Sequence, residues 1–166
     1  MSRERAVGRT SGGIIAIGGG LINGLSYLLL PVATIPLVGS LSAPDVATAA
    51  PEATSLALLH IVPIAALVAV GVGLWLVVGK PAGRAQRIAA VALFACAAVT
   101  TLAYLWPFAR LQQELSGSGV SSLGITATTF TGIGFWLAVI GAIVTAVAGV
   151  MELIGSRAAP VTSTTP

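Results

Sequence analysis

A bundle of four membrane-spanning α-helices is the fold this sequence predicts, and three observations predict it. Four long apolar runs, centred near Leu25, Ala66, Ala97 and Ile143, take up well over half of the 166 residues. Hydrophobic residues make up 56% of the chain and charged residues 8%, against a usual charged share of about 25%, which leaves too little polar surface for a water-soluble globule. The Lys and Arg residues sit in short clusters beside the runs, where they act as topology signals. Each run exceeds the roughly 20 residues a helix needs to cross a hydrocarbon core of about 30 Å. A bilayer core offers no water to exposed peptide groups, and continuous apolarity without alternation argues for helices over a closed barrel.

The spans are placed at about 12 to 38, 55 to 79, 86 to 106 and 131 to 154. Arg3, Arg5 and Arg9 precede the first, which is far longer than the roughly 7 to 15 apolar residues of a secretory signal core and therefore reads as a span. The second and third are joined by a tight turn carrying Lys80 and Arg84. One transmembrane domain over 1–157 and a disordered Pro/Ser/Thr-rich tail over 158–166 follow from this division.

Orientation follows from the basic residues. Arg3, Arg5, Arg9, Lys80, Arg84, Arg87 and Arg157 fall on one side, and only Arg110 falls on the other. That split predicts cytoplasmic N- and C-termini in the plasma membrane, since reversal would carry seven basic groups across at roughly 2.5 to 3.5 kcal/mol each. Tyr104, Trp106, Phe135 and Trp136 near the outer side and Trp75 near the inner side agree with the preference of aromatic residues for headgroup level. The pI near 9.8 is explained by topology, and no nucleic-acid partner is expected.

Lipid tails are as apolar as Leu, so spans associate through close backbone approach. Small residues recur every four positions: Ala16, Gly20 and Gly24 in the first helix, Ala65, Ala69 and Gly73 in the second, Ala92, Cys96 and Thr100 in the third. The fourth has two such ridges, Gly141, Thr145 and Gly149, and Gly134, Ala138, Ala142 and Ala146. Gly20, Gly24, Gly141 and Gly149 are the expected packing contacts, and two ridges on one helix suggest that one of them meets a different polypeptide. Pro31, Pro36, Pro63 and Pro107 all fall in the outer half, which predicts kinked helices there and a place for lipid, a partner or a small ligand.

Polar residues within spans are few, and each is a candidate contact. Asn23 lies roughly 16 Å into the first helix, with Tyr27 one turn on. His60 sits near the outer end of the second helix, one turn before Pro63. Asn23 is expected to make an interhelical hydrogen bond, and Glu152 to be neutralised by Arg157 or by the basic turn around Arg84 and Arg87. Cys96 is the single cysteine, which rules out an internal disulfide or a multi-cysteine metal site. Gly18, Gly19 and Gly20 lack the Lys-Ser/Thr ending of a phosphate loop. No cofactor is implied. One His and one Cys in different spans make a poor catalytic constellation, and a midplane with only Asn23, Thr100 and Thr145 argues against proton-coupled transport.

Outside the spans, the outer loop at about 40 to 54 is too short for a domain. Phe108, Leu111 and Leu115 recur at helical spacing, consistent with a short helix on the membrane surface, and Ser116 to Ser122 reads as a flexible connection. Four spans with inside termini, and a longer second outer loop leading into Phe135 and Trp136, resemble claudin-like and other four-span proteins in topology. The cysteine pair of a claudin-like first outer loop is absent, and Gly73-Leu74-Trp75 lies within the second span, so the resemblance is one of span count. The reading that follows is a non-catalytic accessory or scaffold subunit, surrounded by membrane lipids and packed against other integral membrane subunits of a transporter or respiratory type of complex. The alternative is a small transporter, channel or lipid-binding protein that uses the proline-rich outer half.

Overall fold

The structure, a computed structural model, describes residues 2–35, 39–49, 58–117, 128 and 131–157. Helix α1 (Ser2–Leu29) is followed by strands β1 (Pro31–Ile35) and β2 (Gly39–Ser42), a short helix α2 (Ala43–Ala49), a 3-10 turn at Leu58–Ile61, and helices α3 (Val62–Gly79), α4 (Arg84–Gly117) and α5 (Ile133–Arg157). Four segments, Ser11–Leu29, Leu58–Gly79, Arg84–Gly117 and Ile133–Ser156, are long and apolar enough to cross a membrane. The protein is thus a helical, multi-pass membrane protein. The 158–166 tail, most of the Ser116–Ser122 connection, and Pro36 lie outside the described residues.

Side-chain size is distributed against the habit of soluble proteins. Ala16, Ala65, Ala69, Ala89, Ala90, Ala138, Ala142 and Ala148 are buried, while Leu21, Leu67, Val78, Val91, Leu102, Ile143 and Ile154 are exposed. Burying a large side chain gains nothing when the surroundings are hydrocarbon, so the interior is given to residues that let backbones touch.

Helix α1 is the central element, packing extensively on both α3 and α5, while α4 packs on α5 and more sparingly on α3. Two adjacent glycine pairs, seven residues apart, allow this. Gly12 and Gly19 face α5, where an added Cβ would collide with the Glu152 carboxylate and with Thr145. Gly13 and Gly20 face α3, where a Cβ would lie 2.8 Å from the Gly73 carbonyl oxygen and 2.9 Å from that of Ala66. In each pair one residue serves one neighbour and the next serves the other, and two helical turns later the arrangement repeats. The contacts run antiparallel for α1 with α3, α1 with α5 and α4 with α5. The start of α1, the Lys80–Gly83 turn and the end of α5 therefore share one end of the bundle, which carries seven of the eight Lys and Arg residues. The opposite end carries the hairpin, α2, the 3-10 turn and Arg110.

The helix boundaries depart from expectation at identifiable residues. The first span was placed out to 38, but α1 stops at Leu29. Pro31 has no N–H to donate and disfavours helix at Leu30, and the β-branched Val32, Thr34 and Ile35 continue as a strand. Pro63 does not kink the second span. It occupies the first turn of α3, where an N–H has no intrahelical partner in any case. Pro107 is the one proline beyond the first turn of a described helix, and the surface helix expected at Phe108 to Leu115 is the continuation of α4. At 34 residues that helix is about 51 Å long, well beyond a hydrocarbon core. Lys80 closes α3 in the left-handed conformation at φ 44°, and Gly83, at φ 60°, completes the turn.

Both ridges of α5 are used within the chain, which corrects the expectation that one faces another polypeptide. Gly141 and Thr145 meet α1, Gly149 meets Ala90 and Phe94 of α4, and Gly134 meets the Leu30 and Pro31 carbonyls. Ala138 and Ala142 are buried as well.

Candidate functional site: a roofed apolar cavity

Strand β1 leaves α1 and runs across the end of the bundle, pairing antiparallel with β2. Its other edge is held at the start of α5. Ala33 bridges to Thr131, and the Gly132 N–H donates to the Val32 carbonyl at 3.0 Å. Gly132 and Gly134 permit this approach, because a Cβ on either would run into the Pro31 carbonyl oxygen. The short helix α2 opens with a reciprocal cap: the Ser42 hydroxyl and N–H donate to Asp45 Oδ2 at 2.5 and 3.1 Å, and the Asp45 N–H donates back to the Ser42 hydroxyl at 3.5 Å. These bonds to its charged form hold the Asp45 carboxyl below its ordinary pKa of 3.8. Ala43 and Val46 of α2 then pack down onto the core.

Beneath this roof lies a cavity of about 230 Å³. Val32 and Ala33 of β1, Val46 of α2, Leu59 of the 3-10 turn and Thr131 form its upper walls, while Ala103, Tyr104, Pro107, Phe108 and Leu111 of α4 and Phe135 of α5 form the rest. The aromatic rings are mutually braced. Phe135 sits edge-on to Tyr104 at 6.1 Å and to Trp136 at 5.3 Å, and tilted against Phe108 at 5.4 Å, spacings at which ring quadrupoles attract. Pro107 leaves the Ala103 carbonyl without its helical donor, so the cavity wall coincides with the weakest turn of α4. The Tyr104 hydroxyl is fully enclosed beside Ser26 and Tyr27 and contributes no surface to the cavity.

The three polar residues singled out from the sequence are not brought together. Asn23 is buried against α5, its side-chain oxygen resting on Gly141. That oxygen has no hydrogen-bond partner among the described residues, so no interhelical bond to it is seen there. Tyr27 is buried behind the cavity in one cluster with Val32, Leu59, Tyr104 and Phe135. His60 is exposed on the 3-10 turn, next to the cavity-lining Leu59. The four packing glycines all face neighbours in the same chain: Gly20 and Gly24 meet α3 at Ala66, Gly141 meets α1 and Gly149 meets α4.

A second buried polar group sits at the basic end. Gln86 Nε2 donates to Glu152 Oε2 at 2.8 Å, and both side chains are almost wholly enclosed. Glu152 therefore meets an amide from the helix that follows the basic turn, while the side chains of Arg84 and Arg87 are exposed. Arg157's side chain lies outside the described residues. Among the described residues, no three His, Cys, Asp or Glu side chains gather as a metal site requires.

Sequence reasoning missed Ala103, Tyr104, Pro107, Phe108, Leu111 and Phe135 as a group. The spacing of Phe108 and Leu111 did mark an apolar face on that part of the chain, and the structure turns that face inward, toward the cavity. No family model matches the sequence, and neither a curated protein nor a solved structure matches the chain.

Proposed function

We propose that this protein is a non-catalytic lipid-binding membrane protein that holds an apolar ligand, drawn from the surrounding bilayer, in the cavity under the hairpin roof. The observation that carries the reading is the roof itself. A hairpin, a capped helix and a 3-10 turn are built over an aromatic-walled gap, whereas toward the basic end α1 meets α3 and α5 directly at glycine. Concave apolar sites between helices are where small ligands are held. Seven basic residues at the opposite end support an orientation with that end in the cytoplasm and the roof on the outer face of the plasma membrane. The test is equilibrium binding of a fluorescent hydrocarbon probe to the purified protein in nanodiscs. Saturable binding that Ala103→Phe abolishes without unfolding the protein is expected, and binding unaffected by that substitution overturns the reading.

A second reading, an accessory or scaffold subunit of a larger membrane complex, draws on the outward face of α5. Ile133, Trp136, Ile140, Ile143, Val147, Val150 and Ile154 are all exposed, alternating three and four residues apart as a helix-pairing seam does. Cysteine crosslinking from Ile143 in native membranes distinguishes a fixed partner, which gives one discrete adduct, from lipid, which gives none.

A further inference from the structure

Resting on the cavity reading above, we propose that the ligand is a phospholipid, with the end of one acyl chain in the cavity and its phosphate on Arg110. Size comes first. At about 230 Å³ the cavity is smaller than the roughly 300 to 1,000 Å³ of sites that enclose a whole drug-sized ligand, so it takes part of a molecule whose remainder stays outside. The walls are almost entirely apolar, and the Tyr104 hydroxyl is turned away from them. The enclosed part is therefore hydrocarbon without a polar group, because a buried hydroxyl or ester there would lack a partner.

Depth and charge specify the remainder. Trp106 and Trp136 are half exposed at this end of the bundle, the placement of side chains that sit at the boundary between tails and headgroups. The cavity residues of α4, from Ala103 to Leu111, bracket Trp106. Arg110 follows Ala103 by seven residues and Pro107 by three, so it shares their side of the helix, and its guanidinium lies 5.5 Å from the centre of the Trp106 ring. It is the one Lys or Arg at this end, it is exposed, and among the described residues it forms no ion pair. Glu114 stands one turn farther out. A planar guanidinium braced on an indole at headgroup level matches a phosphate. Entry from the bilayer is also provided for, since of the packed pairs of spanning helices α3 and α4 make the least extensive contact, and Ile61, just before α3, stands exposed.

The experiment compares two photoreactive probes with identical acyl chains, phosphatidylglycerol and diacylglycerol, incorporated into nanodiscs with the full-length protein. The phospholipid is expected to label α4 about tenfold more strongly, the value of one charge-assisted contact. Arg110→Gln is expected to remove that preference and leave diacylglycerol labelling unchanged, and Ala103→Phe to remove labelling by both. Equal labelling by the two probes, or a preference that survives Arg110→Gln, overturns the phosphate assignment and leaves the cavity reading standing. Labelling by both probes that survives Ala103→Phe overturns the cavity reading itself. Should Ala103→Phe fail to fold, Leu111→Trp fills the same space from the projecting end of α4 and is read in the same way.

Discussion

The two halves of the bundle are built on opposite packing rules. Toward the basic end, α1 meets α3 and α5 at glycine, carbonyl oxygens lie where side chains would stand, and the enclosed polar pair Gln86 and Glu152 ties α4 to α5. Toward the roofed end, braced aromatic rings line a cavity, and the elements over it are a hairpin, a seven-residue helix and a single 3-10 turn. Association in lipid depends on contact and not on escape from water, so the first half supplies the rigidity and the second can leave room for a ligand.

The largest expected effect strikes the glycine contacts. Gly19→Leu places a branched side chain where Thr145 and the Gly141 carbonyl already sit and is expected to cost about 3 kcal/mol or more, read as loss of folded protein in detergent unfolding curves. A matched pair of substitutions compares the halves directly. Ala89 and Ala103 are each 1% exposed, yet Ala89→Phe is expected to destabilise by about 2 to 3 kcal/mol, whereas Ala103→Phe, entering the cavity, is expected to change stability by less than about 1 kcal/mol. Equal losses in thermal melts would mean that the cavity collapses in the folded protein. Gln86→Leu removes a donor from an enclosed carboxylate and is expected to cost about 1 to 3 kcal/mol, with Glu152→Gln in the same background restoring part of the loss.

The smallest effect is confined to the roof. Asp45 has its carboxyl held below 3.8 in the folded protein by Ser42, so the folded state binds its proton less readily than the unfolded chain does. The contribution of the cap is complete above the unfolded value and is lost as pH falls through the lower folded value. Amide exchange in α2 is expected to quicken, after correction for intrinsic rates, as pH falls below 3.8, and Asp45→Asn to flatten that dependence, while amides of α1 show no such change.

The spans were legible because hydropathy integrates over many residues. The fourth was expected at 131 to 154 and is found at Ile133–Arg157. Ends were less legible where an apolar stretch changes its backbone without changing its polarity. Pro31 to Ile35 is as greasy as the helix before it, and proline with β-branched residues was the only sign of a strand. Ser2 to Ser11 shows the reverse case, since polar residues extend α1 below the apolar run. The cavity was legible only in fragments. Its roof depends on a bridge between Ala33 and Thr131, nearly a hundred positions apart in the sequence, and no local pattern announces such a pairing. Asn23, Tyr27 and His60 were chosen for polarity within apolar runs, but the walls of the cavity are made from residues that polarity passes over.

The position of α1 between α3 and α5 bears on how the protein is made. Gly12, Gly19 and Asn23 find their partners in Glu152, Thr145 and Gly141, which leave the ribosome more than a hundred residues later, a wait on the order of ten seconds at ordinary synthesis rates. Throughout that interval the first helix is docked on one flank only, its other row of glycines bare to the translocon or to acyl chains. A chain halted before its fourth span keeps that bare row.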